Sequence, residues 1–221
     1  MNCVVTAGPS HEPLDAVRRL TNFSTGTLGS QLANFLVARG HQVTLLLGEG
    51  ASYTSEQRAQ QLVRFTTTED LSQKIAALTT APPDALFHAA AVSDFRVTKL
   101  FRRTPGGQLV PIEGGKIPTR FGTLVAELAP TPKIISRLRL LFPEALLVGW
   151  KYEVDGRRAG VLRLARNQMK RCQTDACVAN GRAYGHGYGL VIGAEKPMHC
   201  EQNENLFTGL AELVERRATH I

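Results

Sequence analysis

The residues of this chain that can do chemistry gather where apolar runs end. CVVTA runs into Gly8, Pro9 and Ser10, and ALFHAAAV into Ser93 and Asp94. ALLVG runs into Trp150, Lys151 and Glu153, and DACVA into Asn180. If each run is a strand of one parallel sheet, these residues share the edge where open α/β sheets hold ligands. Asp94 there can accept from a nucleotide's base or ribose, or help hold a metal; it can equally just turn the chain. Ala89, Ala90 and Ala91 are small enough for a flat ligand to lie against them, or for a helix to pack closely. Ser24, Thr25, Gly26 and Gly29 open a helical pattern, whose free N–H groups and positive dipole end suit a phosphate. An ordinary cap explains the same residues. Asn22 carries an amide that can hold a carboxylate or a developing oxyanion, or merely turn the chain.

Three cations complete the set. Lys116 is one of seven lysines and sits in the Gly-rich stretch GGKIPT. It is a point charge suited to a phosphate chain, or a solubilising side chain. Lys151 ends a strand and is a second phosphate clamp or a surface lysine. Arg18 can pair an anion bidentately, although most arginines in such a sequence meet water. Six histidines show no metal spacing, and His88, inside an apolar run, reads as a hydrogen-bonded core residue. No metal site is expected in the protein itself.

The elements that must position these residues follow from periodicity. Strands are expected at the start of the chain, at 42–48, 62–68, 85–92, 145–152, 175–180, 189–193 and 198–200. Helices are expected over 24–40, 69–80, 132–142, 155–171 and 204–217, with Ser24 or Thr25 capping the first. Alternation of strand and helix implies a parallel sheet with helices on both faces. From about 95 to 120 the chain turns polar, basic and rich in Gly and Pro. A stretch that long inside a compact domain is usually functional, and we read it as a flap with one short strand near 108–112. No repeat or linker interrupts the chain, so residues 1–221 read as a single domain.

Composition narrows the partners. The chain has 221 residues, 43% hydrophobic and 20% charged, with a formal net charge of +7. That is globular composition with a sizeable core. The positive balance suits anions, but no lysine block, zinc finger or aromatic-interleaved basic run points to nucleic acid, so an anionic small molecule is preferred. No apolar run approaches the ~20 residues of a membrane helix. The start lacks a signal-peptide pattern, and Cys3, Cys172, Cys177 and Cys200 form no C-x-x-C pair. Reduced thiols in the cytoplasm are expected. G-x-G-x-x-G, Walker A, Tyr-x-x-x-Lys and G-x-S-x-G are all absent, which weakens nicotinamide-dependent, P-loop and serine-hydrolase readings.

Four blocks carry a resemblance to the phosphopantothenoylcysteine synthetases (phosphopantothenate–cysteine ligases) of coenzyme A biosynthesis. TAGPSHEPLDAVRRLTNFSTGTLG resembles the family's opening, and HAAAVSDF its A-A-A-V-A/S-D-Y/F block. GGKIPT is similar to its K-I flap motif, and VGWKYE with ACVAN to its fifth-strand and V-A-N blocks. NFS, VSDF and the lysine after Trp150 are similar to the stand-alone branch. The resemblance implies a three-layer Rossmann-like α/β fold with a mostly parallel sheet and a long flap insertion. It implies a ligase that joins 4′-phosphopantothenate to cysteine through an acyl-nucleotidylate, with ATP or CTP as co-substrate, Mg²⁺, and a homodimer built through the flap. Leu100 and Phe101 suit that contact. Asn22, Lys116 and Arg18 are implied as catalytic. Gly8, Ser10, Ala90, Ala91, Asp94, Trp150, Lys151 and Asn180 are implied at the nucleotide, and Ser24, Thr25 and Gly26 at the substrate phosphate. The bacterial bifunctional members carry a lysine pair where this chain has Gln168 and Cys172, and Lys151 is our candidate to replace it. A nucleotide-binding but non-catalytic relative, and a Rossmann-like NAD(P)-dependent reductase, are the alternatives.

Overall fold

The computed structural model describes residues 1–219. In chain order the first half forms β1 (Asn2–Ala7), the short strands β2 (His11–Pro13) and β3 (Arg19–Thr21), and α1 (Thr27–Ala38). It continues through β4 (Gln42–Gly48), β5 (Gln61–Phe65), α2 (Thr68–Ala77) and β6 (Ala85–His88). An excursion follows: β7 (Phe95–Arg103), β8 (Leu109–Pro111) and β9 (Leu124–Pro130). The chain then returns through α3 (Leu138–Leu141), β10 (Leu146–Tyr152), α4 (Arg158–Cys172) and β11 (Ala176–Asn180). It closes with β12 (Tyr188–Ile192), β13 (Met198–Cys200) and α5 (Asn203–Ala218).

The central sheet has the order β13-β12-β11-β10-β6-β1-β4-β5. From β11 to β5 all neighbours are parallel, and β12 and β13 add an antiparallel edge. Alternate residues of each central strand enter different cores. Val5, Leu45, Phe87 and Val148 pack beneath α1 and α5 with Leu32, Leu36, Leu206 and Leu210. Val4, Leu46, Leu86 and Leu147 pack with Leu71, Ile75, Leu138 and Phe142 beneath α2 and α3. Cys177, Ala179 and Val191 pack beneath α4 with Val161, Ala165 and Met169. Burial on both faces is why these strands read as continuous apolar runs. Each large side chain so buried contributes roughly 1.5–3 kcal/mol. This is the expected Rossmann-like α/β architecture.

Three expectations change. The excursion is a three-stranded antiparallel sheet, β8-β7-β9, and it continues to Pro130 rather than ending near residue 120. Leu100 and Phe101 are half-buried within it, whereas Phe95, Leu109 and Leu128 are the exposed apolar residues. The helix expected over 132–142 is a 3-10 turn, Ile134–Arg137, followed by the single turn of α3. The first helix begins at Thr27, not Ser24. Its cap is Gly26 at φ 75°, with no side-chain capping bond. Gly29 is fixed by packing, since a Cβ there would lie 2.6 Å from the Ala7 Cβ.

Candidate active site

The strand order reverses between β1 and β6, and the loops leaving these strands are sewn together. Ala91 N–H donates to Gly8 O, and Ser10 N–H to Ala91 O. The Ser10 hydroxyl accepts from Ser93 N–H at 2.8 Å and lies 3.2 Å from the Thr68 hydroxyl. Ser10 is fully buried, so its expected contact with a nucleotide gives way to a structural one. Thr131 completes the clasp where the flap returns: its hydroxyl donates to Ser93 O and its N–H to Asp94 O. Beneath the clasp, Ala90 N–H donates to the Thr6 hydroxyl at 3.1 Å. The same hydroxyl lies 3.0 Å from His88 Nδ1, within hydrogen-bond distance. Complete burial pushes its pKa down to about 4, so His88 is a neutral core residue.

Asn22 crosses from the loop after β3 to this edge. Its amide nitrogen donates to both Ala91 O and Val92 O, each at 3.1 Å. Both amide protons thus face backbone carbonyls, and they position the residue beside the β6 loop. Thr25 O accepts from Ser52 and Tyr53 N–H, and the Thr25 hydroxyl accepts from Thr27 N–H. Gly26 and Gly8 lie in close contact; a Cβ on Gly26 would meet Gly8 Cα at 3.3 Å. These glycines serve backbone approach, while Ser24 is half-buried in the loop between Asn22 and the α1 N-terminus.

Arg18 pairs an anion through two nitrogens, but both reach one oxygen rather than a bidentate fork, and the anion is Asp15. Its Nε and Nη2 reach Asp15 Oδ2 at 3.0 and 2.5 Å, and Nη2 also donates to Ile117 O. Asp15 additionally accepts from Val17, Arg18 and Ile117 N–H. Desolvation alone would raise its pKa. Arg18 and the three amides outweigh that effect and hold the carboxyl well below the usual carboxylate range. Ile117 is buried and anchors this join, and exposed Lys116 beside it lines a pocket of about 590 Å³ with Val17, Arg18 and Arg120.

A second cationic pocket, of about 490 Å³, lies against β10 and α4. Lys133, Lys151, Lys170 and Arg171 line it together with Gln168 and Cys172. Lys151 pairs with Glu153 at 2.8 Å, and Lys133 pairs with Asp94. Gly149 makes room here: a Cβ would meet Ile135 at 2.6 Å and Gln168 at 2.8 Å. Gln168 donates to Trp150 O at 3.1 Å. The Trp150 ring packs on the opposite face, against the core beneath α1 and α5. Register sets Trp150 opposite Val178 and Tyr152 opposite Asn180, so Trp150 and Asn180 are diagonal neighbours on that face. Trp150 Nε1 and Asn180 Oδ1 are buried and have no hydrogen-bond partner in the protein. A donor and an acceptor left so at the ligand-binding edge suit a polar ligand.

The fold thus gathers Gly8, Asn22, Gly26, Ala90, Ala91 and Asp94 at one edge, with Lys151 in the adjoining pocket. Trp150 and Asn180 share the edge on the other face of the sheet. Lys116 and Lys151 line different pockets. Lys133 escapes sequence reasoning, because Thr-Pro-Lys reads as a helix start; only the clasp of Thr131 on Ser93 and Asp94 brings it to Asp94. Among the described residues no group of three or more His, Cys, Asp or Glu side chains converges as a metal cage.

Comparison with known proteins agrees with this geometry. The family model for the DNA/pantothenate metabolism flavoprotein C-terminal domain matches residues 1–196. A coenzyme A biosynthesis bifunctional protein CoaBC of Thermococcus kodakarensis is 35% identical over 193 residues, covering 86% of this chain and 43% of the relative. The chain spans about half the length of the curated relatives it matches. The DNA/pantothenate metabolism flavoprotein structure from Streptococcus pneumoniae has a TM-score of 0.83 at 24% identity, covering 98% of this chain and 99% of that one. A Cab2 mutant in complex with phosphopantothenate-cysteine has a TM-score of 0.75 at 19% identity, covering 99% and 88%. The sheet order, the strand-end residues and the matched span have one conclusion: the chain belongs to the family of the DNA/pantothenate metabolism flavoprotein C-terminal domain.

Proposed function

We propose that this chain is a phosphopantothenate–cysteine ligase unit of coenzyme A biosynthesis. The observation that carries the reading is the pocket beside β10, where Lys133 and Lys151 stand with Gln168 and Cys172, the two positions at which the family resemblance puts the bacterial lysine pair. A triphosphate needs cations there before its α-phosphorus can be attacked.

In the first step a carboxylate oxygen of 4′-phosphopantothenate attacks the α-phosphorus of ATP or CTP, and pyrophosphate leaves. In the second, the amine of cysteine attacks the acyl carbonyl, loses a proton, and expels the nucleoside monophosphate. Gly8, Ala90 and Ala91 present backbone and small side chains to the nucleotide, and Asp94 an acceptor. Trp150 Nε1 and Asn180 Oδ1 supply a donor and an acceptor on the other face. Asn22 sits against the Ala91–Val92 carbonyls and positions the acyl group. Ser24, Thr25 and Gly26, at the start of α1, take the substrate phosphate. Lys116 at the flap base brings positive charge to the carboxylate side, while Arg18, expected to be catalytic, is instead neutralised by Asp15 and holds the flap base in place. Mg²⁺ would be held through phosphate oxygens and water, where it would neutralise the triphosphate.

A homodimer fits the same reading. Phe95, Leu109 and Leu128 on the flap, with Val17, Leu20 and Phe23 near its base, are exposed apolar residues that a second copy would cover. No helix of the described residues is long and apolar enough to cross a membrane, and a cytoplasmic reaction is part of our reading. The test is turnover of phosphopantothenate and cysteine with each of the four nucleoside triphosphates. Product with ATP or CTP supports the ligase. Nucleotide binding without product points instead to the non-catalytic relative.

A further inference from the structure

The pocket beside β10 contains no acidic residue in its lining, yet its two lysines nearest the sheet edge are each paired. Lys133 is held by Asp94 and Lys151 by Glu153. Both acids leave the C-terminal edge, one after β6 and one after β10. Lys133 and Asp94 are 66% and 63% exposed, and Lys151 and Glu153 about half as much. Exposed pairs of this kind are weak, because water competes with both partners. The acids therefore hold the lysines lightly in place.

We propose that Asp94 and Glu153 are exchangeable counter-charges that make this pocket select a polyphosphate chain over a single phosphate. A linear triphosphate carries three linked anionic phosphates and can offer both lysines an anion at once, displacing both acids together. A monophosphate reaches one lysine only; the other stays with its acid, and the displaced acid repels the phosphate. In the ligase reading, on which the identity of the polyphosphate rests, the same arrangement admits the nucleoside triphosphate and helps release the monophosphate. Lys170 and Arg171, on the outer turn of α4, add positive potential without a salt-bridge partner among the described residues.

The experiment is calorimetric titration of the full chain with inorganic tripolyphosphate and with orthophosphate. Wild-type protein should bind tripolyphosphate far more tightly than orthophosphate. Lys133→Ala and Lys151→Ala should each weaken tripolyphosphate by roughly tenfold or more. Lys133→Arg should restore most of the affinity. Asp94→Asn and Glu153→Gln should tighten orthophosphate more than tripolyphosphate, narrowing the ratio of the two by several-fold. Melting temperatures serve as the folding control. Tripolyphosphate affinity unchanged in both lysine variants, weaker in both acid variants, or absent in wild type overturns the proposal. The probes carry no base, ribose or acyl group, so failure of ligase turnover leaves this result standing, and the converse also holds.

Discussion

The flap base and the pocket beside β10 both pair cations with acids, but to different ends. At the flap base, Asp15 is almost fully enclosed and receives five hydrogen bonds, so Arg18 is locked to it. Beside β10, Lys133 and Lys151 each meet one carboxylate that solvent also reaches. The first arrangement joins two segments far apart in sequence, 15–18 and 117. The second leaves its cations available. An ion pair is structural or functional according to how many other bonds its acid makes.

The largest effect should come from breaking the fixed pair. Asp15→Ala removes the carboxylate that takes five of the hydrogen bonds at that join and leaves Arg18 only the Ile117 carbonyl. Turnover in the proposed ligase reaction should fall by on the order of 10²-fold, with new protease cleavage near residues 114–120. Turnover close to wild type would make the flap base dispensable.

The sheet provides a control that belongs to neither region. His88 titrates at about 4 when folded, against about 6.5 when unfolded. Between those values the unfolded chain binds more protons, so stability falls as pH drops from 6.5 toward 4 and levels off below. The loss is on the order of 3 kcal/mol. His88→Gln can keep the bond with Thr6 and should flatten this limb in urea unfolding at pH 7 and pH 4.5. An unchanged limb would assign acid sensitivity to the loop carboxylates instead.

A smaller change tests the exposed cation of the flap base. Lys116→Gln should slow single-turnover pyrophosphate release roughly tenfold, with melting temperature unchanged. Normal release would confine catalytic charge to the β10 pocket. The smallest effect is that of salt. Raising ionic strength from about 0.05 to about 0.5 M should lift the nucleotide KM several-fold through the exposed lysines. The enclosed Asp15–Arg18 join should keep its protease resistance.

The parallel core is legible in the sequence because strands buried on both faces carry unbroken apolar runs. Gly8, Asn22, Asp94, Lys151 and Asn180 are legible as strand-end or loop residues for the same reason. The flap strands are not. β7 reads FRVTKLFRR, largely exposed and rich in long cations, with no residue fully buried, so no apolar alternation marks it. The β2–β3 hairpin has three residues per strand, too few for any period, and is held instead by Glu12 accepting from Thr68 N–H. Ser10 and Arg18 illustrate the other limit. Their chemistry is visible in sequence, but the partners that occupy it, Ser93 and Asp15, appear only when the loops close.

The excursion between β6 and β10 also bears on how the molecule folds. These strands are neighbours in the sheet, although the whole flap lies between them in the chain. Closing a loop becomes harder only with the logarithm of its length, about 0.6 kcal/mol per doubling, so the detour burdens the sheet little. The flap strands pair only with one another, β7 with β8 and β9, so they can form after the sheet has set its register. Substitutions on the flap should then change local opening while leaving the sheet's folding rate alone. The flap is in this sense kinetically separate, able to change sequence and acquire outside contacts without risk to the fold that carries it.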